Sequence, residues 1–246
     1  MISALAITFN EVQNIPVYLE QMSFADEIII VDSCSTDGTS ELAKSLGVQV
    51  VERPFDNFSN QRNHALSLAQ HDWVVFFDLD ERIDSKLIRE IQELVSSKDT
   101  KIGYFVRRDY YFLNQKIRFS GFQTDQSVRL FRKSKCRYNG QLVHEEVEGK
   151  GDFGRLKNHI KHLSFHDLER YKAKLDQYSQ LQAEALFAKG KRAYWYHFVL
   201  RPSFRFLTQY IIRLGLLDGK AGLTLASLHS QAVYKRYSFL KLMSSK

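Results

Sequence analysis

The chain has 246 residues, of which 44% are hydrophobic and 26% are charged, so it can bury a sizeable core. Only 3 prolines and 12 glycines exclude a collagen-like chain, and the two cysteines are too few for a disulfide framework or a cysteine-rich zinc site. We therefore expect reduced thiols and a cytoplasmic location. Residues 1–10 lack a basic n-region and no apolar run reaches about 18 residues, so we expect neither a signal peptide nor a transmembrane helix.

The net charge of +7 is unevenly distributed along the chain. Residues 1–100 carry 7 Lys and Arg against 17 Asp and Glu, whereas residues 101–246 carry 28 against 11. Such asymmetry predicts a basic surface that faces a polyanion, which could be nucleic acid, anionic lipid or a phosphorylated substrate. A solvated basic face without a partner is the alternative.

The first hundred residues alternate between apolar runs and amphipathic segments. The apolar runs predict strands at Ile2–Thr8, Glu27–Asp32, Val48–Val51 and Trp73–Phe77. The intervening segments predict helices at Val12–Met22, from the turn Ser35–Thr39 to Leu46, at Asn60–Ala69 and at Ser85–Val95. Strand–helix units of this length indicate an α/β fold with a mainly parallel sheet and right-handed crossovers.

The pattern changes after residue 100. Gly103–Phe112 and Ser127–Phe131 predict strands, and residues 114–126 and 139–155 predict loops. The remainder predicts two helices, from Leu168 to about Ala188 and around Tyr194–Leu216, the second interrupted by Pro202.

Polar side chains follow three of the predicted strands. They lie at or just after the strand ends: Thr8, Asn10 and Glu11 for the first strand, Asp32 for the second, and Asp78, Asp80 and Glu81 for the fourth. The carboxyl ends of parallel strands meet at one edge of a sheet, where ligands bind in open α/β folds. Individually, such residues are often helix caps, but three clusters at one edge favour a binding site.

Asp78-Leu79-Asp80 is the sharpest of these features. In an extended segment both carboxylates face one side, and together they can hold Mg²⁺ or Mn²⁺ beside a diphosphate. The alternative is an acidic turn with Asp84 capping the next helix.

Two further clusters contain side chains that are candidates for proton transfer or for metal binding. Glu145, after His144 in a predicted loop, is a candidate general base. His159, His162 and His166 could share a metal only on a helix, and ordinary surface histidines are the alternative. The glycine patterns of dinucleotide-binding folds and P-loop enzymes are absent from the sequence.

These clusters, in this order, resemble family 2 glycosyltransferases with the GT-A fold. The resemblance covers about residues 1–150 and rests on Thr8–Glu11, Val31–Thr39 and Trp73–Glu81. Within the family, Gln61–Leu66 and Val143–Glu145 make the chain most similar to the lipopolysaccharide-core transferases of the WaaE/KdtX group.

The resemblance implies roles for the residues at the sheet edge. Thr8, Asn10 and Glu11 would line the nucleotide pocket, and Asp32 would hydrogen-bond the base. The donor would be a nucleotide sugar.

The resemblance also implies a metal and phosphate site. Asp78 would lie near the ribose and the metal, and Asp80 would bind the divalent cation, Mg²⁺ or Mn²⁺, that bridges to the diphosphate. The segment Gln126–Leu130 resembles the family's Gln-x-x-Arg-Trp element, although Leu130 replaces the aromatic residue. Arg129 and Arg62 would then hold phosphate groups.

The implied reaction is an inverting single displacement by a hexosyltransferase. Glu145 would remove the proton of the acceptor hydroxyl, with Glu146 as the alternative base. The implied acceptor is a cell-envelope glycan, either lipopolysaccharide core or a lipid-linked saccharide.

The domain organisation predicted from these patterns has two parts. Residues 1–165 form the catalytic domain, with a nucleotide-binding half at 1–100 and an acceptor half at 101–165, and residues 166–246 form a basic helical extension. Phe204–Tyr237 mixes apolar residues with cations, which predicts attachment to the inner face of the cytoplasmic membrane. Internal packing or a dimer interface is the alternative for this stretch.

Two other function classes remain open from sequence. The basic half permits a nucleic-acid-binding protein, although no nucleic-acid motif is recognisable and we expect no such partner. A non-catalytic membrane-attached scaffold would keep the fold without the activity.

Overall fold

The computed structural model describes residues 1–97, 100–113, 115–141, 145–165 and 168–244. The chain forms two compact units. Unit 1 comprises Met1–Arg108 and Gln126–His162, and unit 2 comprises Asp109–Asp125 and Leu163–Lys246.

The elements follow the chain in an α/β order. The strands are β1 (Ile2–Thr8), β2 (Glu27–Asp32), β3 (Gln49–Glu52), β4 (Trp73–Phe76), β5 (Glu81–Arg82), β6 (Gly103–Phe112), β7 (Gln115–Ile117), β8 (Gln126–Arg132), β9 (Cys136–Tyr138), β10 (Val147–Gly149), β11 (Phe153–Arg155) and β12 (Ile160–Phe165). The helices are α1 (Ile15–Met22), α2 (Thr39–Ser45), α3 (Phe58–Leu68), α4 (Ser85–Ser96), α5 (Leu168–Ala188), α6 (Trp195–Leu207) and α7 (Gly219–Ser244).

The sheet of unit 1 is mixed, with a parallel half and an antiparallel half. The order β3-β2-β1-β4 is parallel throughout, and β8 then pairs antiparallel with both β4 and β6. β11 runs parallel to β6, and β5 pairs antiparallel with β12. β9 and β10 form a separate antiparallel two-stranded sheet. The predicted α/β class, with a mainly parallel mixed sheet flanked by helices, is confirmed.

Both faces of the parallel strands are buried, because successive side chains enter different clusters. In β1, Ala4 and Ala6 pack with α1, α2 and α4 on one face, whereas Leu5 packs with α3 on the other. Val75 and its neighbour Phe76 in β4 divide in the same way. The near-continuous apolar runs that predicted these strands are therefore the consequence of two covered faces.

Several short elements depart from the prediction. The predicted loops 114–126 and 139–155 contain the three-residue strands β7, β10 and β11. The predicted helix at Val12–Met22 begins as a 3-10 turn over Val12–Asn14 and becomes α-helical at Ile15, beside Pro16. Strands this short are held by their partner strands, so local sequence carries little sign of them.

Unit 2 is built on the long helix α7, against which α5 and α6 pack. α7 supplies Leu225 and Leu228 to one cluster with Tyr171, and Val233 and Leu240 to another. α6 continues through Pro202, so the predicted interruption there is wrong. The helical path instead changes through a π turn at Thr208–Ile212 and a 3-10 turn at Gly215–Asp218.

The segment 109–125 belongs to unit 2, whereas the sequence assigned it to the catalytic domain. The reason is the buried carboxylate of Asp218. Asp218 accepts hydrogen bonds from the backbone N–H groups of Arg118 at 2.9 Å and Phe119 at 3.1 Å, and from the Ser120 hydroxyl at 2.8 Å. These contacts span about a hundred residues of sequence, which no local pattern reveals.

Candidate active site

The carboxyl ends of three parallel strands meet at one edge of the unit 1 sheet. Thr8 ends β1 directly opposite Asp32, which ends β2. β4 runs parallel on the other side of β1, with Leu5 opposite Phe76, two residues before Asp78. The structure therefore brings the three predicted polar clusters together at the edge where parallel sheets bind ligands.

The loops after β1 and β2 are joined by hydrogen bonds. Asn10 has a φ of 56°, a left-handed conformation that asparagine tolerates better than most residues. Its backbone N–H donates to the Ser35 hydroxyl at 2.8 Å, and its Oδ1 accepts from the Thr36 N–H at 2.9 Å. The Glu11 N–H donates to Thr39 Oγ1 at 2.9 Å. Asn10 and Glu11 thus belong to one continuous polar rim.

Thr8 and Asp32 lie deeper at the same edge. Asp32 is fully buried and accepts hydrogen bonds from the Ser35 N–H at 2.7 Å and the Ser35 hydroxyl at 2.6 Å. Its observed task is therefore to hold the loop, and its contact with a base stays a prediction. The Thr8 hydroxyl is buried without a hydrogen-bond partner among the described residues, which leaves it available to a ligand.

Asp78 to Glu81 form a tight turn after β4. The Glu81 N–H donates to the Asp78 carbonyl at 3.0 Å, and the Glu81 carboxylate accepts from the Asp78 N–H at 3.0 Å. The prediction of an extended segment here is wrong, because the turn replaces the two-residue alternation that would put Asp78 and Asp80 on one side. The two carboxylates accordingly have different surroundings.

Asp78 lies between two buried arginines. Arg129 Nη2 is 2.6 Å from Asp78 Oδ2 and 2.5 Å from Glu81 Oε1. Arg62 Nη2 is 2.8 Å from Asp78 Oδ1. Both arginines are thus paired with carboxylates of the chain itself, and their predicted contact with phosphate groups stays a prediction.

Each arginine nevertheless keeps a donor that the ion pairs do not use. Arg62 Nη1 and Arg129 Nε are buried and have no hydrogen-bond partner within the described residues. The Arg62 guanidinium also lies 4.8 Å from the ring centre of Phe76 and 5.6 Å from that of Tyr138. These contacts fix its plane and leave its remaining donor for an acceptor atom of a ligand.

The two carboxyl groups of this network have opposite pKa shifts. Burial by itself raises the pKa of Asp78, but the adjacent Arg129 and Arg62 guanidinium groups lower it well below its ordinary value. Burial, together with the negative charge of Asp78, raises the pKa of Glu81 to about 7. The positive charge of Arg129 acts in the opposite direction and lowers it. Glu81 was predicted only as a member of the polar cluster after the fourth strand, because local sequence does not reveal that an acid in a strand-end turn is buried.

Glu145 enters the same cluster from the loop before β10. Its Oε1 lies 3.5 Å from Arg62 Nε, and its side chain is 20% exposed. Glu146 is exposed, and its backbone carbonyl accepts from the Asn139 N–H at 3.0 Å. Of the two candidate bases, Glu145 therefore lies beside the arginine network. His144, predicted in the same motif, lies outside the described residues.

The site offers limited ligands for a metal ion. Within the described residues, no group of three His, Cys, Asp or Glu side chains is arranged to hold one, and of the predicted trio His166 and the side chain of His162 lie outside them. A hard cation beside a diphosphate needs only one or two carboxylates, because phosphate oxygens and water complete its shell. The half-buried Asp80 fits that requirement. Asp78 fits it poorly, because both of its oxygens are paired with arginines.

Comparison with known proteins agrees with this site. The sequence model of glycosyl transferase family 2 matches residues 3–145, which include every residue discussed at the sheet edge. The lipopolysaccharide core biosynthesis glycosyltransferase LpsC of Rhizobium meliloti is 28% identical over 96% of this chain and 93% of its own. An uncharacterized glycosyltransferase of Rickettsia prowazekii, RP128, is 27% identical over 100% of this chain and 88% of its own.

Solved structures show a more distant likeness. Glucosyl-3-phosphoglycerate synthase from Mycobacterium tuberculosis, crystallised with Mn²⁺, uridine diphosphate and glucosyl-3-phosphoglycerate, is 23% identical with a TM-score of 0.39. The match covers 45% of this chain and 44% of that one, less than half of either. The family match spans more than half of the sequence and contains the whole polar edge. The chain therefore belongs to glycosyl transferase family 2 and is a glycosyltransferase.

Proposed function

We propose that this glycosyltransferase moves a sugar from a nucleotide-sugar donor to a hydroxyl group of a cell-envelope glycan, with inversion at the anomeric carbon. The observation that carries the proposal is the family match over residues 3–145, because it includes the polar edge of the sheet and ends at Glu145. The donor would lie at this edge, where the rim of Asn10 and Glu11 adjoins the free Thr8 hydroxyl.

The unused arginine donors support a donor that carries phosphate. Arg62 Nη1 and Arg129 Nε are buried without partners among the described residues, and buried donors normally have an acceptor. Asp78 and Glu81 hold the two guanidinium groups in place through the ion pairs described above. A phosphate oxygen would satisfy the remaining donors without displacing those pairs.

A divalent cation, Mg²⁺ or Mn²⁺, is part of the proposal. Asp80 would hold it, and when bound it would stabilise the charge that develops on the leaving nucleoside diphosphate. Structural neighbours crystallised with Mn²⁺ and UDP-glucose are consistent with such a cofactor, although they share only the general fold. Asp78 has the separate task of positioning Arg62 and Arg129.

Glu145 is the proposed general base. Its carboxylate removes the proton of the acceptor hydroxyl, whose oxygen then forms the new bond to the anomeric carbon as the bond to the diphosphate breaks. The Arg62 guanidinium, 3.5 Å away, orients the carboxylate for this transfer. No covalent bond between sugar and enzyme is formed.

The acceptor is proposed from LpsC, a relative that matches nearly the whole chain. LpsC is named for lipopolysaccharide core biosynthesis, and the similarity covers 96% of this chain, so both units are included. A core oligosaccharide, or a lipid-linked saccharide of the same envelope, is the acceptor class to be tried first. A cytoplasmic reaction is supported by the two free cysteines, Cys34 and Cys136.

Substitution of Asp80 tests the proposal. Asp80→Asn keeps the side-chain shape but removes a charge from the cation's shell, so sugar transfer should fall by about 10²-fold or more while the melting temperature is unchanged. Asp152→Asn is the matched control, because the Asp152 side chain is 85% exposed in the same unit. Full activity of Asp80→Asn, or of the unaltered enzyme in excess chelator, would contradict the metal-dependent reaction.

A further inference from the structure

Helix α6 presents an apolar face to solvent, which reverses the usual arrangement of a surface helix. The exposed residues are Tyr196 at 37%, Val199 at 57%, Leu200 at 58%, Phe204 at 68% and Leu207 at 52%. Their spacing of i, i+3, i+4, i+8 and i+11 places them on one side of the helix. An exposed apolar stripe of this length marks an interaction surface.

The opposite side of the helix is already occupied by unit 2. His197 is buried and stacks on Tyr237 of α7 with ring centres 4.4 Å apart, and Pro202 is buried with its carbonyl accepting from the Ser230 hydroxyl at 2.9 Å. The exposed stripe is therefore not the packing face of α6, and the predicted alternative of internal packing does not account for it.

The exposed apolar stripe continues beyond the end of α6, and aromatic residues lie at its beginning. After the helix, Ile211, Ile212, Leu214, Leu216 and Leu217 are between 42% and 68% exposed. At the beginning, Trp195 is 75% exposed and Tyr194 is 56% exposed. Aromatic rings with one polar edge favour the boundary between water and lipid. We name this set, Tyr194 to Leu217, the apolar ridge.

The exposed charges of the sequence that contains the apolar ridge have one sign. Residues 185–246 contain 11 Lys and Arg but a single acidic residue, Asp218, which is buried. Arg201, Arg213 and Lys220 are exposed beside or within the ridge. Two copies packed ridge to ridge would bring these cations together, so charge disfavours a homodimer. A partner with an apolar interior and anionic groups at its boundary would match both the apolar side chains of the ridge and the nearby cations.

We propose that the apolar ridge docks on an anionic lipid bilayer, lying in the interface with its cations at the head groups. No helix in the described part of the chain has the length and hydropathy to cross a bilayer. An in-plane helix with apolar residues on one face and nearby cations binds instead by shallow insertion and electrostatic attraction. This inference concerns unit 2 alone and does not depend on the proposed sugar transfer.

The test is flotation of the full chain with phosphatidylcholine vesicles that contain or lack phosphatidylglycerol. We expect binding to the anionic vesicles that weakens as salt is raised. Leu200→Glu and Phe204→Glu should each lower the binding constant by about tenfold or more, because each puts a charge where the bilayer would otherwise bury apolar surface. Leu181→Glu on α5 is the matched control, since Leu181 is 53% exposed in the same unit but outside the ridge.

A second pair of variants separates lipid binding from damage to the fold. Arg201→Gln and Lys220→Gln leave the apolar residues intact and should each weaken binding to anionic vesicles by about fivefold, with no effect on neutral ones. Equal flotation of the unaltered chain, Phe204→Glu and Leu181→Glu would overturn the proposal. So would sedimentation of the unaltered chain as a dimer that Phe204→Glu dissociates, because the ridge would then bind a second copy. In solution without vesicles, all of these variants should release nucleoside diphosphate from the donor at the unaltered rate, because none of the substituted residues belongs to the candidate active site.

Discussion

Arg129 connects two carboxylates that would otherwise repel each other. Its Nη2 contacts both Asp78 and Glu81, and all three groups lie behind the rim of the candidate site. Because a buried charge is costly without a partner, the stability of unit 1 depends on the set being complete. Arg129 is thus a positioning residue for Asp78, and in the proposed function its Nε donates a hydrogen bond to a phosphate oxygen.

Removing Arg129 should therefore be strongly destabilising. Arg129→Met keeps much of the side-chain volume but removes the cation that contacts both carboxylates, so that Asp78 keeps its pair with Arg62 and the buried Glu81 keeps only the more distant Arg108 at 3.9 Å among the described residues. We expect this loss to lower the free energy of unfolding by about 3–5 kcal/mol. Urea denaturation would measure it. Arg137→Gln is the control, because the Arg137 side chain is 77% exposed and its pair with Glu148 should contribute less than about 1 kcal/mol. Similar losses for both variants would show that the network is not a stabilising unit.

Glu81 should make the stability of the protein depend on pH. Its pKa rises from 4.5 in the unfolded chain to about 7 in the folded protein, so between these values the folded state binds more protons. The contribution of Glu81 to the free energy of unfolding is therefore present at low pH and falls as the pH rises from 4.5 to about 7, by up to about 3 kcal/mol. Glu81→Gln should remove this slope in denaturation curves measured across the window. An unchanged slope would show that Glu81 titrates normally.

Glu145 and Glu146 provide a matched pair for the catalytic base. Glu145 lies 3.5 Å from Arg62, whereas Glu146 is exposed. Glu145→Gln should lower the rate of sugar transfer by about 10²–10⁴-fold with little change in donor affinity, because only the proton acceptor is lost. Glu146→Gln should retain nearly full activity in the same assay. The reverse result would place the base one residue later.

The rim of the site could be predicted from sequence, but its interior could not. Thr8 and Asp32 follow apolar runs that had to be parallel strands, so their meeting at one edge follows from the α/β pattern. The arginine network joins Arg62 to Asp78 across 16 residues and Arg129 to Asp78 across 51. Arginines and carboxylates at such separations have many possible partners, and only the folded chain selects among them.

At the scale of elements, buried strands were predicted better than turns and short pairings. β1, β2 and β4 have both faces covered, and their continuous apolar runs show it in the sequence. The end of the helix was harder to predict in the C-terminal region. Pro202 is tolerated where α6 packs on α7, and the helical path is interrupted only later, near Leu214 with its φ of 57°. Gly215 begins the 3-10 turn at that interruption and Gly219 begins α7, whereas Gly222 lies inside α7.

Gly222 provides a test of how closely α7 approaches the 3-10 turn at Gly215–Asp218. A Cβ there would lie 1.9 Å from the Gly215 carbonyl oxygen, so the helix can approach the preceding turn only because residue 222 lacks a side chain. In an unconstrained helix Gly→Ala stabilises by about 1 kcal/mol. Here the backbone clash should win, and Gly222→Ala should lower the free energy of unfolding by about 1–3 kcal/mol in thermal denaturation. Any stabilisation by Gly222→Ala would contradict the close approach.

At the scale of the whole molecule, charge separates the two ends of the chain. The first hundred residues, with 17 acidic groups against 7 basic ones, hold most of the polar sheet edge. The last sixty-two, with 11 basic groups and the buried Asp218, contain the apolar ridge. The sequence showed this asymmetry, but the exposed face of α6 required the structure, because periodicity alone does not tell which side of an apolar helix is covered.

Direct detection of sugar transfer tests the central claim. Purified protein would be incubated with Mn²⁺, a panel of UDP-, GDP-, ADP- and dTDP-sugars and a deacylated lipopolysaccharide core, with product mass and anomeric configuration read by mass spectrometry and NMR. We predict the addition of one sugar with inverted configuration, lost in Asp80→Asn and Glu145→Gln and retained in Asp152→Asn. A retained configuration, transfer by Glu145→Gln at the unaltered rate, or no transfer from any donor to the core would contradict the account.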